Sequence, residues 1–168
     1  MPQAEKLISH LYLKLGGTNA SGEIYRNLIS IEVDDSLLLP DTFSIHLHDP
    51  TLDWVNGTEF ELGKKVEISA PVQGGTAKLL AGEITAIETH FSHGVGPTLT
   101  IQGYDQSHRL HRVRQTKPYL QKTDSDIAKD IARDCGLKAQ VDDSREVHEY
   151  VLQDNQTDYE FLRDRARR

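Results

Sequence analysis

The side chains best suited to chemistry fall into four groups. His46 and His48 lie two apart in FSIHLH, so on a strand both rings leave the same face, as two ligands of one metal ion would. Asp49, His90 or His93 could supply a third ligand. An HxH pair on the polar face of an amphipathic strand reads first as two solvated or interface imidazoles, and no metal site is predicted. Second, His108, Arg109, His111, Arg112 and Arg114 crowd the stretch HRLHRVR and could hold an anion. A phosphate pocket normally adds a glycine-rich turn opening a helix, and this stretch has none. The planar fork of arginine grips a carboxylate with two bonds, which fits a surface segment meeting acidic groups on a neighbouring subunit. With Tyr104 as an anchor, these five are the predicted interface residues. Third, the pairs Asp34-Asp35 and Asp142-Asp143 invite glycoside hydrolysis, which needs two carboxyls across a cleft, one kept protonated by burial. Adjacent acids in polar, turn-like surroundings read instead as solvated turns. Fourth, Ser107-His108 and Cys135 lack partners for a nucleophilic triad. Trp54 and Tyr104 read as core or interface anchors rather than a sugar platform. No catalytic residue and no cofactor is predicted.

Two architectures must position these groups, and they meet at residues 102–114, QGYDQSHRLHRVR. Before that seam the apolar residues recur with the period of two expected of strands. Strands are predicted around Leu11, Leu13 and Leu15, around Ile29, Ile31 and Val33, around Phe43, Ile45 and Leu47, and around Val66, Ile68 and Ala70. A long strand over 77–91, with Gly82 a bulge or bend, precedes a last one through Leu99, Ile101 and Gly103. GGTNASG, Asp49-Pro50, Asn56-Gly57 and Gly74-Gly75 are turn signals between them. Pro40 closes a short apolar bridge from Leu37 to Leu39, and residues 90–97 are expected to form a mobile loop. No segment of helical period is found before residue 120. After the seam, Thr123 caps DSDIAKDIARDCGL, Gly136 stops it, and Ile127, Ile131 and Cys135 form its apolar stripe. EVHEYVL (146–152) reads as a strand. Thr157 and Glu160 form a capping box opening a final helix with Tyr159, Leu162 and Ala166 on its apolar side.

The predicted fold is mainly β with an α+β tail. A tube-like antiparallel β-barrel over 1–105 is followed by a basic connector over 106–122 and the start of a small α/β inter-barrel domain over 123–168.

Composition narrows the function classes. A net charge of −7 argues against nucleic acid as a partner, because phosphate binding needs a basic field over a wide face. The single Cys135 excludes an intrachain disulfide and a zinc cysteine cluster. MPQAEKLISH lacks the apolar run of a signal peptide, and no segment approaches the ~20 apolar residues of a membrane helix. Synthesis in the bacterial cytoplasm, without direct membrane insertion by this segment, is therefore expected. DYEFLRDRARR stops inside a helical pattern, so a longer protein is expected to continue beyond it.

Three segments together resemble the N-terminal part of contractile-injection hub proteins, the phage tail baseplate hubs of the late-control D family and the VgrG-like spike proteins. They are GYDQSHRLHRVR (103–114), TDSDIAKDIARDCGL (123–137) and QDNQTDYEFLRDRAR (153–167). Their order matches a G-x-D-x-x-H-R-L strand, a T-x-x-D-I helix and a Q-x-N-x-T-D-x-x-F-L-x-R-x-A helix. Residues 24–70, with SIEVDDSLLLPDTFSIHLHD and FELGKKVEI, are similar to the first barrel of extracellular injection-particle members. The resemblance implies a non-enzymatic structural subunit, a homotrimer when full length, that adapts the hexameric inner tube to a trimeric spike. Inner tube protein, baseplate components and a spike tip are the implied partners, in a phage tail or extracellular injection particle. A second barrel and a spike, which the family carries, are absent from this chain. A cell-wall carbohydrate-binding or hydrolysing module is the alternative, and a barrel holding a small ligand is a further one.

Overall fold

A computed structural model describes residues 11–167 apart from 93 and 95. Residues 1–10, read above for a signal peptide, lie outside the described residues, as do His93 and Arg168. The chain divides into a first unit ending at Asp105 and a second beginning at Gln106.

The first unit is one antiparallel sheet of seven strands: β1 (Tyr12–Leu15), β2 (Thr18–Asn19), β3 (Leu28–Asp34), β4 (Thr42–His48), β5 (Lys65–Val72), β6 (Gly75–Ser92) and β7 (Gly96–Asp105), in the order β2-β1-β5-β6-β7-β4-β3. The period of two does what it predicts. Leu13 and Leu15, Phe43, Ile45 and Leu47, Val66 and Ile68, and Leu99 and Ile101 all point inward and are buried. They join a single core, with Ile31 and Val33 of the far edge strand packed against it, so the sheet curls around its own apolar face. The fold class is mainly antiparallel β with an α+β tail, as the pattern predicts. The ladder, however, is not closed into a barrel. Its end strands β2 and β3 are joined by a short helix, α1 (Gly22–Asn27), which caps on Ser21 and buries Ile24 in the core.

Helix α1 and a second short helix, α2 (Asp53–Asn56), depart from the expectation of no helix before residue 120. At six and four residues both are too short to show a helical period. The turn signal Asn56-Gly57 lies at the end of α2, with Gly57 as its C-cap. An added Cβ on Gly57 would stand 2.6 Å from the Asp53 carbonyl. Of the stretch expected to be a mobile loop, residues 90–92 and 96–97 are strand, with β6 running to Ser92 and β7 starting at Gly96. The register shifts in β6 fall between Leu80 and Lys78 and between Ile84 and Ala86, on either side of Gly82. Gly82 is not the extra residue. It is needed because an added Cβ would collide with the Tyr104 carbonyl on the neighbouring strand. A further shift beside Ile29 leaves that residue exposed, although the alternation had placed it inward.

The second unit opens with a 3-10 helix over Gln106–His111 and pairs β8 (Arg114–Thr123) with β9 (Val147–Thr157). Helices α3 (Asp124–Asp134) and α4 (Asp158–Ala166) follow the two strands. Residues 106–122, read above as a basic connector, comprise the 3-10 helix and most of β8, whose backbone groups pair along its length with β9. Both predicted caps form. The Thr123 hydroxyl accepts from Asp126 N, and Thr157 with Glu160 makes a reciprocal capping box. Tyr119, Ile127, Ile131, Val151 and Phe161 make the core. Of the stripe predicted for α4, Leu162 packs against this core and Tyr159 is half-buried, while Ala166 is exposed; the buried residue of the helix is Phe161, whose ring stacks on Tyr119 with centroids 5.6 Å apart.

Candidate functional site

The six predicted interface residues divide between the units. Tyr104, on β7, stands between Thr42 of β4 and Glu83 of β6 and is 41% exposed. The ring lines a recess of about 610 Å³ with Leu39, Pro40, Asp34 and Asp35. Its neighbour Gly103 lets the Phe43 ring and the Glu83 carbonyl come so close that no side chain fits there. That packing makes the strand under Tyr104 a rigid mount.

The other five lie in the second unit, and several serve its own architecture. Arg109 Nη1 donates to the carbonyls of Cys135 and Gly136, each at 3.3 Å. It thus binds the unsatisfied end of α3, where a cation also suits the helix dipole. Gly136, at φ +66°, supplies the left-handed stop that turns those carbonyls toward it. Arg114 donates to Asn155 O at 2.7 Å and to the Glu160 carboxylate at 2.6 Å, fastening the start of β8 to the start of α4. His111 stacks on Tyr159 at 4.2 Å, and Arg163 lies over the same ring. Arg112 donates to His108 Nε2 at 2.7 Å. The basic run is therefore not one uniform surface.

Sequence reasoning missed a buried polar corner behind this run. Gln153 is fully buried on β9. Its carbonyl oxygen accepts from the Tyr119 hydroxyl at 3.2 Å, while its Nε2 donates to Gln156 O and to Asp158 Oδ1 at 2.9 Å. Gln115 Nε2 and the Cys135 thiol also donate to the Asp158 carboxylate. Burial, then the Asp158 carboxylate, pushes the Tyr119 phenol up to about 12, so it stays a donor. The same two influences, burial first, raise the Cys135 thiol, which removes the thiolate a nucleophile needs. These contacts explain the Q-x-N-x-T-D pattern physically. Gln153 and Asp158 satisfy one another, Asn155 takes the left-handed turn at φ +48°, and Thr157 caps α4.

The remaining candidates are dispersed. His46 bonds Thr100 Oγ1 and Ser44 Oγ, each at 3.1 Å, and His48 is exposed. Asp49 is buried with its carboxylate accepting from Trp54 N and Val55 N, the cap of α2. His90 lies 3.6 Å from Glu88. Among the described residues no group of three or more His, Cys, Asp or Glu is placed to hold a metal ion. Asp34, Asp35 and Asp142 are exposed, and Asp143 accepts from Ser125 and Lys129. No helix among the described residues is long and apolar enough to cross a membrane.

With that geometry in place, three comparisons bear on identity. The family model of the Alg8 N-terminal domain matches residues 25–168. No curated protein matches the sequence. Among solved structures, the 43 kDa tail protein of prophage MuSo2 from Shewanella oneidensis superposes with a TM-score of 0.67 at 14% identity, covering 93% of this chain and 47% of that one. The E. coli c3393 protein, a type VI secretion component with structural similarity to the T4 tail proteins gp27 and gp5, gives 0.61 at 18% identity, covering 89% and 41%. A tail protein from Neisseria meningitidis MC58 gives 0.50 at 19% identity, covering 74% and 33%. The fold is thus a tail-protein fold, and the chain spans less than half the length of each of these structures.

Proposed function

The chain belongs to the Alg8 N-terminal domain family, and we propose that it is a structural, non-enzymatic hub subunit of a tail-like injection machine, seated where a hexameric inner tube meets a trimeric spike. The observation that carries this reading is the likeness over 93% of the chain, both units included, to a phage tail protein. The type VI component that matches over 89% is itself likened to gp27 and gp5. Three residue patterns similar to the hub and spike families, at 103–114, 123–137 and 153–167, narrow the position within the particle.

The architecture suits the role. Many of its polar side chains serve the fold itself, in the cap of the second helix, the capping box of the last one and the buried corner around Gln153. A closed ring needs the same patch to meet its partner at every repeat, so a stiff body serves better than a cleft. Tyr104 on the first unit, and His108 with Arg112 on the second, are the proposed contacts to neighbouring subunits or baseplate components. Arg109, His111 and Arg114 shape that surface from beneath through the bonds described above.

Native mass spectrometry and electron microscopy of the full-length protein with its cognate inner-tube protein test the proposal. Three copies forming a ring on the end of the tube are expected. A monomer that leaves tube ends bare, together with particles that assemble normally without the gene, overturns it.

A further inference from the structure

The loop between β3 and β4 carries three consecutive leucines out of the first unit. Leu37 is 96% exposed, Leu38 61% and Leu39 68%. Such residues in a loop commonly fold back under the chain, and here the backbone prevents it. Ser36 Oγ accepts from Leu38 N at 3.4 Å and Leu39 N at 3.2 Å, while Asp41 Oδ1 accepts from Ser36 N at 3.0 Å. The Asp41 carbonyl in turn accepts from Asp105 N at 2.9 Å, tying the loop to β7. The leucines are displayed by a pinned turn. Beside them Leu39, Pro40 and Tyr104 line the apolar side of the recess, so a ridge and a hollow adjoin. Asp34 and Asp35 form an acidic border.

We propose that this leucine ridge with its Tyr104 hollow is a docking surface for another protein of the same particle, one presenting an apolar groove bordered by lysine or arginine. An exposed apolar cluster of this kind marks an interaction site. Its rim selects the occupant: the carboxylates of Asp34 and Asp35 favour a basic border and oppose an anionic lipid surface. They also oppose the same loop of a second copy, which would bring like charges face to face. The occupant named is the inner-tube protein, so the inference rests on the hub reading above.

The test measures binding of the full-length protein to purified cognate inner-tube protein, with Leu37→Ser/Leu38→Ser and Asp34→Asn/Asp35→Asn beside the wild type. Both leucines are solvent-facing, so the variant should fold as the wild type does, which circular dichroism checks. Loss of about tenfold or more in affinity for the leucine variant is expected. A smaller loss for the aspartate variant, with reduced salt dependence, is also expected. Unchanged affinity in the leucine variant, with tube binding intact, overturns the docking surface and leaves the hub reading standing. Absence of tube binding by the wild type removes both. Leucine-dependent binding to phosphatidylglycerol vesicles, or leucine-dependent self-association in sedimentation, reassigns the ridge and likewise overturns the inference.

Discussion

In the first unit fourteen buried apolar side chains, from Leu13 to Ile101, form one core drawn largely from strands far apart in sequence, with Asp49, Ser69, Glu83 and Thr100 buried beside them. In the second unit five buried apolar residues share two strands and two helices with a fully buried glutamine, and ion pairs and caps tie the elements together. The contrast follows from size. A small unit cannot remove enough apolar surface from water to hold itself, so directional bonds take a larger share. Burial tolerates small shifts, whereas a buried polar network fails when one member is lost. The two units should therefore differ in what breaks them.

Removing apolar volume from the first unit is the largest expected effect. Ile101 is fully buried and pairs with Ile45 on one side and Ile87 on the other. Ile101→Ala should cost about 3–4 kcal/mol, because the curled sheet cannot collapse onto the cavity. The single tryptophan, Trp54, lies in the same core and reports this transition alone in urea denaturation. A loss below about 1 kcal/mol would show that the core relaxes freely, against the rigid mount argued for Tyr104.

The matching experiment on the second unit removes polarity at nearly constant volume. Gln153→Leu leaves the Tyr119 hydroxyl without its acceptor and Asp158 short of a donor. About 2–3 kcal/mol should be lost, visible as faster amide exchange in β8, β9 and α4 while the first unit keeps its protection. A neutral result would mean that the corner is dispensable and that the small apolar core suffices.

Arg109→Glu sharpens the contrast at a single end of a helix. The sequence alone casts Arg109 as an interface residue. The structure assigns it to the Cys135 and Gly136 carbonyls, so the reversal sets a carboxylate against the negative end of α3. A loss of about 1–2 kcal/mol, confined to the second unit, is expected in thermal or urea unfolding. Unfolding identical to wild type returns Arg109 to a purely external role.

These cases show what the chain discloses before folding. Strands β4, β5 and β7 were legible because alternation repeats over six residues or more, and α3 because Thr123, Ile127, Ile131 and Gly136 agree with each other. Helices α1 and α2 were not, since one turn has no period to detect. The shift beside Ile29 was hidden because one extra residue changes the face of a side chain without changing its type. Gln153 was hidden for a related reason: a glutamine in a strand reads as solvated unless its partners, distant in sequence, are known. Of the candidate site, residue types were legible and their duties were not. Arg109 and Arg112 look alike in HRLHRVR, yet one closes a helix and the other pairs with His108. The exposure of Leu37–Leu39 depends on bonds from Ser36 and Asp41 that no apolar count reveals.

The smallest effect is on acid stability, and it too should separate the units. In the second unit the Arg165 hydrogen bond, outweighing partial burial and aided by His148, holds Asp124 below the usual aspartate range. The Lys122 hydrogen bond, with Arg133 assisting, does the same for Asp130. Unfolding removes these partners and returns both carboxyls to ordinary values near 3.8. A carboxyl depressed in the folded state stabilises fully above its unfolded value, and that contribution is lost as pH falls through the folded value. Stability of the second unit should therefore hold above about pH 5 and fall progressively below about pH 4. Both pairs are partly open to solvent, so the loss is modest and is reduced further by salt. In the first unit Glu67, a half-exposed partner of Lys14 at the sheet surface, is similarly lowered, and the main buried cluster is apolar. Amide exchange at pH 3 and pH 6 should show β9, α3 and α4 losing protection before β4 and β7. Asp124→Asn should flatten that pH dependence. If β4 and β7 lose protection first, apolar burial is not what distinguishes the first unit, and the contrast drawn between the two units fails.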